Sequence, residues 1–95
     1  MSALFIAISK VTDPAKLNEY IAKAGGTMGG RQIEVLAFST EAKTVEGTAP
    51  GPRIVVLRFA DQAAAMEWYN SPEYQEVVQL RLDSTEGFAL LCDGM

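Results

Sequence analysis

Two segments of the sequence are apolar on both faces of a strand, and this constrains the fold more than any other feature. In ALFIAISKV, at residues 3–11, apolar residues occupy most odd and most even positions, and RIVVLRF, at residues 53–59, has the same property. A sheet with one face in water alternates apolar and polar residues along its strands. Both faces of this sheet therefore need cover. Helices can cover only one of them, so we predict that a second subunit covers the other.

The first helix is marked at both ends. Asp13 and Pro14 are typical of a helix cap and a first helical residue. Behind them, apolar residues recur at helical spacing. The cluster AGGTMGG, at residues 24–30, predicts the end of the helix, with Gly25 or Gly26 as the first residue beyond it.

The remaining segments complete the order βαββαβ. Residues 32–38, QIEVLAF, and residues 87–94, GFALLCDG, are extended patterns. Asp61 is placed to cap the second helix, which Ser71 and Pro72 interrupt and restart. This order predicts one α+β domain over residues 1–95 with a ferredoxin-like fold: a four-stranded antiparallel sheet, the first and third strands central, and helices on one face.

Composition excludes several classes of partner and site. The net charge of −4 and the pI near 4.6 oppose binding to nucleic acid or to an anionic membrane. There is no histidine, and Cys92 is the only cysteine. We therefore expect no metal, no cofactor and no intramolecular disulfide. The N-terminal apolar segment is too short for a secretory signal or a membrane span, so we expect a cytoplasmic protein.

Several short motifs carry a resemblance to a known family. The stretches VTDP, VEG and PRIVVLRF, and above all AMEWYNSPEYQ followed by Arg81, are similar to the family known as domain of unknown function 1330, in the dimeric α/β-barrel superfamily. The resemblance covers nearly the whole chain. It implies a ferredoxin-like protomer whose sheet pairs face to face with that of a second copy. Since the family has no established reaction, it implies architecture and little chemistry.

The block MEWYNSPEYQ, at residues 66–75, is the first candidate for a site. Trp68 shares a helical face with two alanines, which favours packing on the sheet. Tyr69 and Tyr74 flank the break at Ser71, and a buried phenol needs a hydrogen-bond partner. The two tyrosines either form the wall of a pocket between the helix break and the sheet, or pack at a corner.

Three charged residues are the other candidates. Glu46 lies in a turn-rich connection, where it is either a solvated turn residue or a general base. Arg53 opens the third strand, and Arg81 lies on the apolar stripe of the last helix. The Arg81 guanidinium either forms a structural ion pair with an acidic side chain such as Asp13 or Glu46, or anchors a carboxylate ligand. The ligand-binding candidates are thus Glu46, Arg53, Trp68, Tyr69, Ser71, Tyr74 and Arg81.

Two classes of function stay open at this point. The first is a dimeric module that binds a small organic ligand, with a carboxylate as the candidate anionic group, between sheet and helices. The second is a cofactor-independent enzyme of the isomerase or monooxygenase kind, acting on a small organic molecule. The sequence shows no recognisable catalytic nucleophile, no pair of acid–base residues and no set of metal ligands. Whether the chain has a catalytic activity therefore stays open.

Overall fold

The computed structural model describes residues 2–95 as one sheet with its helices on one side. Four strands and three helices follow one another as β1 Ala3–Val11, α1 Pro14–Thr27, β2 Glu34–Ser39, β3 Arg53–Phe59, α2 Gln62–Tyr69, α3 Pro72–Ser84 and β4 Thr85–Asp93. The sheet is antiparallel throughout, in the order β2-β3-β1-β4. The predicted ferredoxin-like α+β fold with central first and third strands is confirmed.

The two faces of the sheet differ in cover. On β1, Phe5 and Ala7 are buried, and they face the helices together with Leu57 of β3. The opposite face, called the outer face below, is apolar and carries no element of the described chain. Its residues, assigned from the strand register, are Leu4, Ile6, Ile8, Ile54, Val56, Phe88 and Leu90. Phe88 and Leu90 are about half exposed, at 49% and 54%.

Helix α1 begins as predicted and ends later than predicted. The Asp13 carboxylate accepts a hydrogen bond of 3.1 Å from the Lys16 backbone N–H, so Asp13 is the cap. Gly25 and Gly26 lie inside the helix, and the prediction that one of them is the first residue beyond it is wrong. Both take ordinary helical backbone angles, and the reversal falls on Gly30, whose φ is +75°.

The break between α2 and α3 is built around Ser71, as predicted. Its hydroxyl donates to the Trp68 carbonyl at 2.7 Å and accepts from the Tyr74 backbone N–H at 3.3 Å. These bonds satisfy groups that the interruption would otherwise leave unpaired. Across residues 2–95, no helix combines the length and the apolar character that crossing a membrane needs.

The core lies between the helices and the inner face of the sheet, and aromatic rings fill its centre. The Trp68 ring is 4.1 Å from the Tyr74 ring, 5.5 Å from the Phe59 ring and 5.8 Å from the Phe5 ring, centroid to centroid. Trp68 is 1% exposed and Tyr74 is fully buried. Ring pairs at such distances add stability beyond the area that they bury, so this cluster fixes α2 and α3 on the sheet.

Candidate anion-binding cavity

A cavity of about 160 Å³ lies between α1 and the part of the sheet formed by β2, β3 and β1. Side chains from six of the seven elements line it. The lining residues are Phe5, Ala7, Tyr20, Ile21, Ala24, Gly25, Met28, Val35, Phe38, Arg53, Val55, Leu57, Trp68 and Arg81. Ile21, Val35 and Phe38 are partly exposed and mark the mouth between α1 and β2. The wall is apolar except for one tyrosine and two arginines.

Helix α1 is fixed to the other helices, which leaves its sheet-facing side open. The Tyr20 and Tyr74 hydroxyls are 2.7 Å apart and share a buried hydrogen bond. At the end of α1, the Trp68 indole Nε1 donates to the Thr27 hydroxyl at 3.1 Å. These bonds tie α1 to α3 and α2. Tyr20 and Trp68 both line the cavity, so these bonds also fix two side chains of its wall.

An irregularity in β2 shapes the other wall of the cavity. The pairing between β2 and β3 shifts between Val35 and Ala37, which is a β-bulge. Residues three apart on a regular strand point to opposite faces. Because of the bulge, Val35 pairs with Leu57 while Phe38 pairs with Val55, and both Val35 and Phe38 turn towards the cavity. The Phe38 ring also lies 5.6 Å from the Arg53 guanidinium carbon.

Two buried arginines give the cavity a positive charge. Arg53 is 3% exposed and Arg81 is 8% exposed, and the Nε atom of each is buried without a hydrogen-bond partner. The ion pairs formed by residues 2–95 all lie elsewhere: Lys23 with Glu19, Arg31 with Glu67, and Arg58 with Glu34. Buried charges in proteins are paired or bound to a ligand. Two guanidinium groups in one apolar cavity therefore lack the carboxylate partners that buried arginines usually have.

Other groups in the cavity do not neutralise these charges. No aspartate or glutamate belongs to its lining among the described residues. Burial, with a further contribution from Tyr74, raises the pKa of Tyr20 above its ordinary value, so the phenol stays neutral. Burial also lowers the pKa of Arg53, and the nearby charge of Arg81 acts in the same direction. The cavity thus holds uncompensated positive charge in a chain whose net charge is −4.

A third polar group without a partner lies next to Arg53. Ser9 pairs with Arg53 across β1 and β3, is 4% exposed, and has a buried hydroxyl oxygen with no hydrogen-bond partner. Buried polar atoms are almost always bonded, so this hydroxyl, like the two Nε atoms, is unusual in lacking a partner.

The structure distributes the sequence candidates unevenly. Arg53, Trp68 and Arg81 line the cavity. Tyr74 lies behind Tyr20 in the core, and Tyr69, half-buried, packs on Phe5 and Tyr74. The corner at the helix break is packed by these rings, and the cavity lies on the α1 side of Trp68 instead.

Two further candidates serve other roles or lie apart. Ser71 caps α3, as described above. Glu46 is exposed in the connection between β2 and β3, and it is not among the cavity residues. The alternative in which Arg81 pairs with Asp13 or Glu46 is wrong, since Asp13 caps α1 and Glu46 is in solvent. Arg81 has no carboxylate partner among residues 2–95.

Two residues of the cavity wall, and one strand partner of a wall residue, were missed in the sequence. Tyr20 reads as an ordinary core residue of an amphipathic helix, and nothing in the sequence places it opposite Tyr74. Ser9 could have been noticed, because strand alternation puts it on the face of Phe5 and Ala7. Phe38 could not have been placed, since a bulge changes the face of every residue beyond it.

The fold and the cavity define a class of protein: a ferredoxin-like α+β domain with a cationic cavity between its helices and its sheet. The chain belongs to the family described as "Domain of unknown function (DUF1330)", which matches residues 2–95. No curated protein matches the sequence significantly.

Solved structures with the same fold are distant in sequence. A protein of unknown function from Rhodopseudomonas palustris superposes with a TM-score of 0.81 at 12% identity, covering 99% of this chain and 82% of its own. SnoaB, a cofactor-independent oxygenase from Streptomyces nogalater, gives 0.68 at 10% identity, covering 99% and 93%. A dabb family protein with a ferredoxin-like fold from Mesorhizobium loti gives 0.61 at 14%, covering 99% and 95%. At these identities the likeness concerns the fold.

Proposed function

We propose that this protein binds a small organic anion, with its negative group beside Arg53 and Arg81 and its apolar body between α1 and β2. One observation carries the proposal: two guanidinium groups are buried in an apolar cavity without a carboxylate. A dry cavity of about 150 Å³ accepts benzene, so the body of the ligand is about one ring in size. An aromatic carboxylate such as benzoate is the simplest probe.

The direct test is thermal unfolding with benzoate and with benzamide. A ligand that binds only the folded state adds about 2.7 kcal/mol at a concentration 100 times its Kd. For a domain of this size, that raises the melting temperature by roughly 10 to 20 °C. Benzamide has the same ring and no charge, so it should give a much smaller rise. Equal responses to both compounds would argue against an anion site.

A substitution at Gly25 tests the location. Gly25 lies in α1 at the cavity, and a Cβ built there meets no atom within 4 Å. We expect Gly25→Leu to fill the mouth and abolish the benzoate response. Replacing a helical glycine also stabilises the helix, by up to about 1 kcal/mol, so the empty protein should melt at the same or a higher temperature.

Gly26 supplies the matched control for this experiment. It is the next residue of α1, its Cβ position is equally open, and it is not among the residues of the cavity. Gly26→Leu should give the same gain in helix stability and keep the full benzoate response. Loss of the response in both variants, or in neither, would place the ligand elsewhere.

An enzymatic role is the alternative. The oxygenase from Streptomyces nogalater shares this fold and needs no cofactor. A cofactor-independent enzyme is therefore the second candidate function. Tyr20 is the one lining residue that could exchange a proton, because the described wall has no acidic side chain and no cysteine, and arginines stay protonated. A phenol whose pKa is raised is a poor base, so the site favours binding over turnover.

A homodimer through the outer face is the second part of the proposal, and a cytoplasmic location remains a prediction from the sequence. The apolar outer face extends across β1, β3 and β4, in a flat protomer measuring 31 × 30 × 16 Å. Monomeric proteins rarely expose apolar patches larger than a few hundred Å². Two such faces in contact would bury roughly 1,500 Å² or more in total, the size of a stable interface.

We therefore expect sedimentation at low micromolar concentration to give about twice the mass of one chain, which is 10.3 kDa. Leu90→Lys places a charge on the outer face and should yield monomers. Val45→Lys is the control, because Val45 is 88% exposed in the connection between β2 and β3. A natural chain that sediments as a monomer would refute this part of the proposal.

A further inference from the structure

We infer that the cavity takes up phenols and enols that are neutral in solution and binds them as their anions. In this step the O–H bond of the ligand breaks, the proton passes to water, and the oxyanion remains beside Arg53 and Arg81. The inference rests on the proposed function and narrows it, from organic anions in general to weak acids that acquire their charge on binding.

Charge balance is the first argument. The ionisable groups in the lining are Tyr20 from α1, Arg53 from β3 and Arg81 from α3, whereas β1, β2 and α2 contribute uncharged side chains. A positive charge within about 4 to 6 Å favours the ionised form of an acid, and a carboxyl beside one arginine has its pKa lowered by about 1 to 3. This cavity has two arginines, no competing anion in its described wall, and an apolar medium that strengthens the attraction.

The tyrosine pair supplies a neutral donor for the same oxygen. Tyr20 and Tyr74 share one hydrogen bond, in which either hydroxyl can donate. When Tyr74 donates to Tyr20, the hydrogen of Tyr20 is free to point into the cavity, which Tyr20 lines. Hydrogen bonds from a neutral donor to an anion are strong. A ligand oxyanion would therefore receive this bond in addition to those from the arginines.

Size is the third argument, and it favours a phenol over a larger acid. A cavity of about 150 Å³ accommodates one benzene ring, and this one measures about 160 Å³. A ring that carries its oxygen directly uses nearly all of this space, whereas added groups must extend through the apolar mouth. The two guanidinium groups and the Tyr20 hydroxyl would then bind a single ligand oxygen.

Titration with 4-nitrophenol tests the inference, because the anion of this phenol absorbs at a longer wavelength than the neutral form. At about one pH unit below the pKa of the free phenol, we expect the protein to shift the spectrum towards the anion and to release protons into a weakly buffered solution. The pKa of the bound phenol should be lower than that of the free compound by about 1 to 3. Arg53→Met should abolish most of this shift. Arg31→Met, which removes a surface arginine paired with Glu67, should leave it unchanged.

Each outcome is decisive when benzoate is measured alongside. Ionisation of bound 4-nitrophenol that Arg53→Met removes supports the inference. Binding of the neutral phenol without a spectral shift overturns it, and so does benzoate binding with no binding of the phenol; in both cases the benzoate result decides the proposed function separately. If neither compound binds, the proposed function and this inference fail together. Should Arg53→Met not fold, 4-nitroanisole, which has no proton to lose, replaces the variant and must bind much more weakly than the phenol.

Discussion

We expect the Arg81→Met protein to lose its response to aromatic acids and, without a ligand, to melt at a higher temperature than the natural chain. The Arg81 guanidinium is 8% exposed and its Nε atom has no hydrogen-bond partner. Removing an unpaired buried charge removes a desolvation cost, and methionine fills much of the same volume. When a protein side chain and a ligand form a buried pair of opposite charges, removing the side chain costs about 2 to 5 kcal/mol of binding free energy. The Kd then rises by roughly 30- to 4,000-fold.

Two measurements check this prediction: the melting temperature of the empty protein, and the Kd for benzoate by calorimetry. Arg31→Met is the control, since Arg31 pairs with Glu67 on the surface and such pairs contribute about 0 to 1 kcal/mol. If Arg81→Met instead lowered the melting temperature by more than about 10 °C, Arg81 would be a structural residue with a partner in the folded protein. Unchanged benzoate affinity would remove Arg81 from the site.

The second large effect is expected at Trp68. Its side chain is 1% exposed, contacts three other aromatic rings, and donates a hydrogen bond to Thr27. Trp68→Ala should lower the free energy of unfolding by roughly 3 to 5 kcal/mol, because the cavity left behind cannot collapse. That is a large share of the stability of a small domain, about 5 to 15 kcal/mol. Urea unfolding followed by circular dichroism measures it.

Met66 provides the comparison on the same helix. It is 42% exposed, so Met66→Ala should change the free energy of unfolding by no more than about 0.5 kcal/mol. Trp68→Phe separates packing from hydrogen bonding, because it keeps a ring in the core and loses the bond to Thr27; its cost should fall between the other two. A Trp68→Ala cost below about 1 kcal/mol would mean that the aromatic cluster does not hold the helices.

The strands were readable from the sequence because their signals are local. The bounds of β1 and β3 were predicted to the residue, since their apolar runs are flanked by turn residues. The end of α1 was not, because the signal of glycine is ambiguous. Gly25 and Gly26 can end a helix or continue it at a cost, and the hydrogen bond from Trp68 to Thr27 holds one more turn in place. That bond joins residues far apart in the sequence.

The site was harder to read because it depends on which residues meet across the fold. Arg53 and Arg81 could each be singled out in the sequence, but their placement in one cavity requires β3 and α3 to approach the same end of α1. Tyr69 and Tyr74 are phenols near a helix break, and that pattern is typical both of a pocket wall and of a packed corner. In the structure their rings pack against each other. A local pattern shows which side chains are unusual for their position, and only the tertiary structure shows what they face.

The bulge in β2 makes one wall of the cavity depend on the register of an edge strand. If Leu36 paired regularly with Val56, the register would move by one residue and the following residues, Phe38 among them, would turn to the opposite face. The pairing of β1 with β3 and with β4 would be unchanged. Because β2 is an edge strand, such a change need not disturb the rest of the sheet. The register of this one edge strand therefore sets whether Phe38 lies in the cavity wall beside Arg53, independently of the side chains that form the core.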